Sequence, residues 1–202
     1  MKIALVTPYD YPYPGGVTEH VRHLDREFRA RGHQTRILAA SSAPQAALEP
    51  NVIKITGEVL PIAFNGSTAR ITLAPEVDRT VQQILNDEHF DVIHLHEPAT
   101  PLLGWSVLRH NTSAVSVGTF HAYVDHPQWN NCLRPLIELV SWGLDGRILV
   151  SPALRQTLAP YLHGGYRVIP NGIDFARFAA PGIEPIPEFD DGRPNLLFLG
   201  RL

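Results

Sequence analysis

The sequence has little cysteine, little lysine and no long apolar stretch. Its 202 residues include one cysteine, Cys132, which excludes an internal disulfide and a metal site built from several cysteines. The bases are almost all arginine, and Lys2 and Lys54 are the lysines. The formal net charge is -3 and no basic run occurs, so we expect no nucleic acid as a partner. No apolar run approaches the ~20 residues of a membrane span, and we expect a cytoplasmic protein.

Two nucleotide-binding fingerprints are also absent. The first strand is not followed by G-x-G-x-x-G, and no G-x-x-x-x-G-K-S/T loop occurs anywhere in the sequence. A standard NAD-binding fold and a P-loop nucleotidase both need one of these glycine spacings to bring the backbone close to a phosphate. The sequence therefore argues against both classes.

The first part of the chain is typical of a strand, a loop and a helix. Lys2 to Val6 form a short apolar run that suits a parallel strand buried on both faces. Apolar residues then recur at helical spacing: Val17, Val21, Leu24 and Phe28. Gly15 and Gly16 join the two elements and leave bare N–H groups at the helix start, which favours a phosphate or carboxylate there. The alternative is a glycine pair that only closes a tight turn.

Strands and helices alternate from Met1 to about Pro170, which predicts an α/β fold with a doubly wound parallel sheet. The segment "VIKITGEVLPIAF" predicts a local hairpin around Gly57, and Asn65-Gly66 predicts a second turn. Residues 171–194 are rich in proline and glycine and predict a linker. Residues 195–202 read as the first strand of a second domain whose remainder is missing, because a single strand cannot bury itself.

Polar residues follow several strands of the predicted sheet. The glycine pair follows the first strand, His96 and Glu97 follow a middle strand, and His121 follows the next. Ligands bind outside the carboxyl ends of the strands in such sheets, so these residues predict one binding cleft. His94, His96 and Glu97 are also compatible with a metal hydrolase, although two histidines on one strand supply two ligands of the larger set that zinc needs.

The chain resembles the N-terminal half of a retaining GT-B glycosyltransferase of glycosyltransferase family 4. The resemblance extends over essentially the whole chain, and it is most marked to the phosphatidylinositol mannosyltransferases of that family. Its motifs are "TPYDYPYPGGVTEHVRHL", "GHQTRILA", "PIAFNGSTAR", "FDVIHLHEP", "GTFHA", "VIPNGIDFARF" and "LFLGRL". Most are loose individually, and their joint order and spacing are specific.

The resemblance implies roles for eight residues. His121 matches the active-site histidine near the transferred sugar. Gly15, Gly16 and Arg201 match groups that bind the diphosphate of the donor. Thr18, Asn65, Ser67 and Arg70 match groups that hold a phosphoinositol head in the inositol-lipid members. Thr18 is shorter than the amide that those members use, and the helix that docks them to membranes retains only Arg79 as a base here.

The implied activity is transfer of a hexose such as mannose from a nucleoside-diphosphate sugar to an acceptor hydroxyl, with retention of configuration. The resemblance implies no metal and no cofactor, and a nucleotide-sugar and an acceptor as substrates. It also implies a missing C-terminal domain, without which this chain is inactive, and a peripheral contact with the inner face of the cell membrane. The alternative is a non-catalytic domain that binds a phosphorylated polyol through Arg70 and the glycine loop.

Overall fold

The computed structural model of the chain describes residues 1–64, 67–122, 127–179, 182, 186–190 and 192–198. The chain divides into two compact units, Met1–Asn171 and Gly172–Leu202. The first unit carries the parallel sheet and the polar strand ends predicted from the sequence.

The described strands are β1 (Lys2–Thr7), β2 (Gln34–Ala39), β3 (Val52–Lys54), β4 (Leu60–Phe64), β5 (Ser67–Ile71), β6 (Val92–His96), β7 (Val115–Phe120), β8 (Gly146–Leu149) and β9 (Arg167–Val168). Seven of them form one parallel sheet in the order β3-β2-β1-β6-β7-β8-β9. The remaining two, β4 and β5, form an antiparallel hairpin. This mixed α/β fold confirms the predicted doubly wound sheet.

The described helices are α1 (Gly16–Ala30), α2 (Val77–Glu88), α3 (Leu103–His110), α4 (Pro127–Trp142), α5 (Leu154–Thr157) and, in the second unit, α6 (Phe175–Phe178). Short 3-10 turns occur at Gln45–Ala47, Ala159–Tyr161 and Pro187–Phe189. Over the described ranges, no helix has the length and apolar character needed to cross a bilayer.

Alternate residues of β1 pack on opposite faces of the sheet. Ala4 and Val6 belong to one apolar cluster, whereas Ile3 and Leu5 belong to another. Helix α2 covers the first face and α1 covers the second, because their apolar residues lie on one side of each helix. A strand covered on both faces is apolar at nearly every position, as Ile3 to Val6 of β1 are.

The order of the strands reverses between β1 and β6. The chain moves from β1 outward to β2 and β3, and it then returns to the other side of β1 as β6. In open α/β sheets the crevice outside the carboxyl ends of two such strands is the usual position of a ligand. The fold therefore places the candidate site after Thr7 and His96.

The predicted hairpin around Gly57 is wrong. Strand β3 joins the parallel sheet beside β2, where Ile37 pairs with Val52, and β4 pairs with β5 instead. An apolar run shows that a strand exists but does not show which strand it pairs with. Residues 195–198, which we expected to start a strand, have no regular secondary structure, and their three apolar side chains are exposed.

Candidate active site

The carboxyl ends of β1, β6 and β7 lie side by side at one edge of the sheet. Val6 pairs with Leu95 on β6, and His96 pairs with Thr119 on β7. His96 is the last residue of β6, and His121 directly follows β7. The polar strand ends predicted from the sequence therefore meet at the point where the strand order reverses.

The glycine pair forms an open corner at the start of α1. Gly15 precedes the helix in an extended conformation, with φ -178°, and Gly16 is the first helical residue. A Cβ atom added to Gly16 would meet no atom within 4 Å, so packing does not require glycine at this position. The space in front of the first N–H groups of this 15-residue helix is open to a ligand. Those groups and the helix dipole favour an anion.

Three histidines lie close together one helical turn after the glycine pair. His20 lies one turn along α1 from Gly16, and its ring centroid is 5.5 Å from that of His96 and 5.3 Å from that of His121. His96 Nδ1 and His121 Nε2 are 3.0 Å apart and share a hydrogen bond. Among the described residues, these three histidines form the group that could hold a metal, since their ligand atoms lie within 4.8 Å of one another.

Glu97 fixes the chain that follows β7. Its backbone is in the left-handed region, with φ 51°, and its buried carboxylate accepts hydrogen bonds from the backbone N–H groups of His121 and Ala122. His94 is held separately, with Nε2 2.7 Å from Thr119 Oγ1. The metal set considered from the sequence, His94, His96 and Glu97, therefore does not converge on one point.

The turn after Glu97 packs closely against α3. A Cβ atom added to Gly104 would lie 2.3 Å from the carbonyl oxygen of Pro98, so this position admits only glycine. The close approach holds the chain after β6 against the helix. It thereby supports the position of Glu97, on which His121 depends.

Burial keeps the histidines of the rim neutral. It lowers the pKa of His121 to about 3, with further contributions from His20 and His94, and it lowers the pKa of His94 to about 4. The pKa of His96 is also well below its usual value, mainly because of burial. Burial raises the pKa of Glu97 to about 7, while the two backbone N–H groups act in the opposite direction. The cluster thus offers neutral imidazoles, so a cationic side chain at the rim has to come from an arginine.

Arg70 supplies this cationic group from the hairpin. Asp10 Oδ2 accepts a hydrogen bond from Arg70 Nε at 2.9 Å and forms an ion pair with Nη2 at 2.8 Å. The same carboxylate accepts hydrogen bonds from the backbone N–H of Ser42 at 2.7 Å and from its hydroxyl at 2.8 Å. The guanidinium lies over the ring of Tyr13, 4.7 Å from the centroid. These contacts hold the end of β5 and the loop after β1 together.

The remaining predicted site residues lie at different positions relative to this rim. Thr18 is in the first turn of α1 with only 3% of its surface exposed, so its side chain is covered in this structure. Ser67 pairs with Phe64 at the tip of the hairpin, and its side chain lies outside the described part of the structure. Asn65 and Arg201 lie wholly outside the described residues. Their predicted roles stay predictions.

Sequence reasoning missed His20 and Asp10. His20 is four residues after Gly16 on a predicted helix, and this spacing places both on the same side of α1. Nothing in the sequence showed that this side faces β6 and β7. Asp10 is separated from Arg70 by 60 residues, and only the docking of the hairpin brings the two together.

Comparison with known proteins identifies the family of this fold and rim. Residues 14–177 match the family profile described as Glycosyltransferase Family 4. The chain belongs to glycosyltransferase family 4. The family assignment made from the sequence motifs is thereby confirmed.

Curated relatives are similar to this chain over its whole length. The phosphatidyl-myo-inositol mannosyltransferase of Mycolicibacterium smegmatis is 35% identical over 202 residues, which are 100% of this chain and 51% of that protein. The protein of the same name from Mycobacterium tuberculosis H37Rv is 37% identical over 206 residues, 100% of this chain and 52% of that protein. An alpha-monoglucosyldiacylglycerol synthase of Streptococcus pneumoniae is 26% identical, over 100% of this chain and 49% of that protein. The chain spans about half the length of these relatives.

Solved GT-B glycosyltransferases share the fold of this family member. A sucrose-phosphate synthase from Thermosynechococcus elongatus superposes with a TM-score of 0.63 and 18% identity, over 86% of this chain and 48% of that chain. An alpha-glucosyltransferase solved with UDP and a 13-mer DNA gives a TM-score of 0.55 and 16% identity, over 88% and 44%. At this identity the likeness shows the fold alone, and it matches the predicted N-terminal half of a GT-B fold.

Proposed function

We propose that the protein carrying this chain transfers a hexose such as mannose from a nucleoside-diphosphate sugar to a hydroxyl group of a phosphoinositol-type lipid, with retention of configuration. The observation that carries the proposal is the open start of α1, which lies one helical turn from the histidine cluster at the switch point. Membership of glycosyltransferase family 4 and the names of the mannosyltransferase relatives support the same reaction class.

The donor diphosphate would bind at the start of α1. Gly15 and Gly16 present no side chain there, so phosphate oxygens can approach the backbone N–H groups directly. Negative charge grows on the diphosphate as the sugar departs, and donors that are already oriented toward it lower the barrier. We also assign Arg201 to the donor diphosphate, because it matches the diphosphate-binding arginine of the family. This electrostatic stabilisation requires no metal or other cofactor.

His121 would contact the transferred sugar. Its backbone is fixed by Glu97, and its ring is fixed by the 3.0 Å contact with His96. An imidazole held on two sides can orient a sugar hydroxyl with little loss of conformational entropy. We therefore assign His121 an orienting role rather than proton abstraction.

Arg70 would bind the phosphate of the acceptor. A guanidinium has five N–H donors, and Asp10 engages the edge formed by Nε and one terminal nitrogen. The edge formed by the two terminal nitrogens retains donors for two parallel hydrogen bonds to a phosphate. Asn65, Ser67 and Thr18 are proposed to hold the inositol hydroxyls beside it, and Thr18 must become accessible to do so.

The lipid would be reached from the cytoplasmic face of the membrane by a peripheral contact. Helix α2 carries Arg79 and several acids, so electrostatic attraction through this helix would be weak, at about 1 kcal/mol per basic residue. The nucleotide-sugar, the lipid and a C-terminal domain that completes the donor site are the proposed partners.

A donor and acceptor screen tests the proposed function. The natural protein that carries this chain is incubated with GDP- and UDP-hexoses and with vesicles that contain phosphatidylinositol, and release of the nucleoside diphosphate is measured. Vesicles of phosphatidylglycerol provide the matched anionic control without inositol. Release that depends on phosphatidylinositol supports the proposal. Binding of myo-inositol 1-phosphate without release from any donor would instead favour a non-catalytic binding domain.

A further inference from the structure

The three histidines of the rim come from three separate elements. His20 lies on α1, His96 ends β6 and His121 follows β7. Their ring centroids form a nearly equilateral triangle with sides of 5.3 to 5.5 Å. Each imidazole offers one ring nitrogen, and these three nitrogens all lie within 4.8 Å of one another.

The spacing of the nitrogens fits a tetrahedral zinc site. Zinc binds imidazole nitrogen at about 2.0–2.1 Å, so two ligating nitrogens of a tetrahedron lie about 3.3 Å apart. His96 Nδ1 and His121 Nε2 are already 3.0 Å apart, and His20 completes a set within 4.8 Å. Metal binding therefore requires the nitrogen of the half-buried His20 to move closer to the other two.

Neighbouring acids and the fourth histidine have other partners. Glu97 accepts two backbone hydrogen bonds, Asp10 holds Arg70, and His94 contacts Thr119. The set therefore contains three neutral nitrogen ligands and no oxygen ligand. Such a set prefers zinc and similar transition metals, whereas magnesium and calcium prefer oxygen.

We propose that His20, His96 and His121 form a binding site for Zn²⁺ or a similar transition-metal dication, with one coordination position left open. Metal bound here engages His121 and so blocks the contact of this residue with the sugar. The site is inhibitory rather than catalytic. The inhibitory part rests on the proposed function, whereas the binding part does not.

Binding is tested on this chain alone at pH 7.5, where an unperturbed histidine is mostly neutral. Zn²⁺ is titrated against a chromophoric chelator, and the visible absorption of added Co²⁺ reports the coordination number. The variants are His20→Gln and His121→Gln. The matched control is His33→Gln. His33 directly precedes β2 and so lies at the amino ends of the strands, away from the histidine cluster at their carboxyl ends. Circular dichroism confirms that each variant is folded.

We expect one Zn²⁺ per chain with a dissociation constant below about 10 µM. Loss of one ligand should weaken binding at least about tenfold in both cluster variants and leave the control unchanged. Equal affinity of the wild type and the two cluster variants would overturn the site. An equal loss in His33→Gln would do the same.

Inhibition is tested on the natural protein in the transfer assay. Free Zn²⁺ at its dissociation constant should lower the rate of transfer by about half, about ten times that concentration should lower it about tenfold, and a chelator should restore it. Continued transfer by zinc-loaded protein would overturn the inhibitory part while the binding site stands. If the natural protein shows no transfer even when chelator is present from the start, the result counts against the proposed function and not against metal binding.

Discussion

Asp10 and Arg70 form an ion pair at the edge of the sheet, in which one carboxylate oxygen accepts a hydrogen bond from Nε at 2.9 Å and lies 2.8 Å from Nη2. The Asp10 side chain is 1% exposed and that of Arg70 is 31% exposed, so one partner is buried and the other reaches solvent. The buried acid thus fixes the inner edge of the guanidinium and directs the other edge outward.

Replacement of Arg70 by lysine keeps the charge and removes the planar fork. We expect Arg70→Lys to raise the KM for a phosphoinositol acceptor about tenfold or more, which corresponds to about 1.4 kcal/mol, with a smaller change in kcat. Initial-rate kinetics on the natural protein measure both. Arg167→Lys, on the exposed edge strand β9, is the matched control and should leave the KM unchanged.

Replacement of Asp10 by asparagine keeps the shape and removes an acceptor. Asp10 accepts hydrogen bonds from Nε of Arg70 and from the backbone N–H and hydroxyl of Ser42, so an amide N–H would face a donor in either orientation. We expect Asp10→Asn to lower the free energy of unfolding by about 2 kcal/mol, measured by urea denaturation. The exposed Asp87→Asn should change it by less than about 0.5 kcal/mol. An unchanged midpoint for Asp10→Asn would show that the contact does not hold the hairpin.

Two glycine substitutions separate ligand binding from folding. Gly16→Ala adds a methyl group to open space, so we expect an unchanged or slightly higher free energy of unfolding and a donor KM raised at least about tenfold. Gly104→Ala places a methyl group 2.3 Å from a backbone oxygen, and we expect a loss of about 1–3 kcal/mol of stability. Urea denaturation and donor kinetics distinguish the two. Equal donor KM in Gly16→Ala and wild type would remove the diphosphate from this corner.

His121 should affect the rate of transfer more than the affinity. Removal of one oriented hydrogen-bonding group from an active site costs about 100-fold in kcat, and we expect this loss in His121→Ala. His33→Gln should retain the wild-type rate, because His33 lies at the amino end of β2 and His121 follows the carboxyl end of β7. A kcat for His121→Ala within threefold of wild type would exclude the proposed role.

The contact between Lys2 and Glu88 predicts a pH-dependent stability difference. Lys2 Nζ is 2.8 Å from Glu88 Oε2, and this hydrogen bond is the main reason that the pKa of Glu88 is lowered below 4.5. A lowered pKa of an acid stabilises the folded state above its unfolded value, and the stabilisation is lost as the pH falls through the folded value. Glu88→Gln should therefore be less stable than wild type by about 1 kcal/mol at pH 7. The difference in stability between Glu88→Gln and wild type should close as the pH falls below 4.5.

The sequence predicted the sheet well because buried parallel strands leave an unambiguous apolar run. Lys2 to Val6 alternate between two faces that are both covered, so every residue of the run is apolar except the first. The pairing of strands was harder to predict. The sequence of Val52 to Lys54 suggests one strand of a hairpin, but in the structure these residues pair with β2.

Part of the candidate site could also be predicted from the sequence. The glycine pair, His96 and His121 follow predicted strands, and the topology of a doubly wound sheet brings such residues to one edge. The roles of His20 and Asp10 could not be predicted from the sequence, because each residue contacts a partner on a distant element. Their roles depend on how α1 and the hairpin dock on the sheet, which local patterns do not encode.

Identification of the reaction product tests the proposed sugar transfer most directly. The natural protein is incubated with a labelled α-linked nucleoside-diphosphate hexose and phosphatidylinositol vesicles, and the lipid product is analysed by mass spectrometry and proton NMR. We predict a phosphatidylinositol that carries one added hexose in the α configuration. A lipid that remains unmodified with every donor, while the chain binds myo-inositol 1-phosphate, would contradict the transferase function.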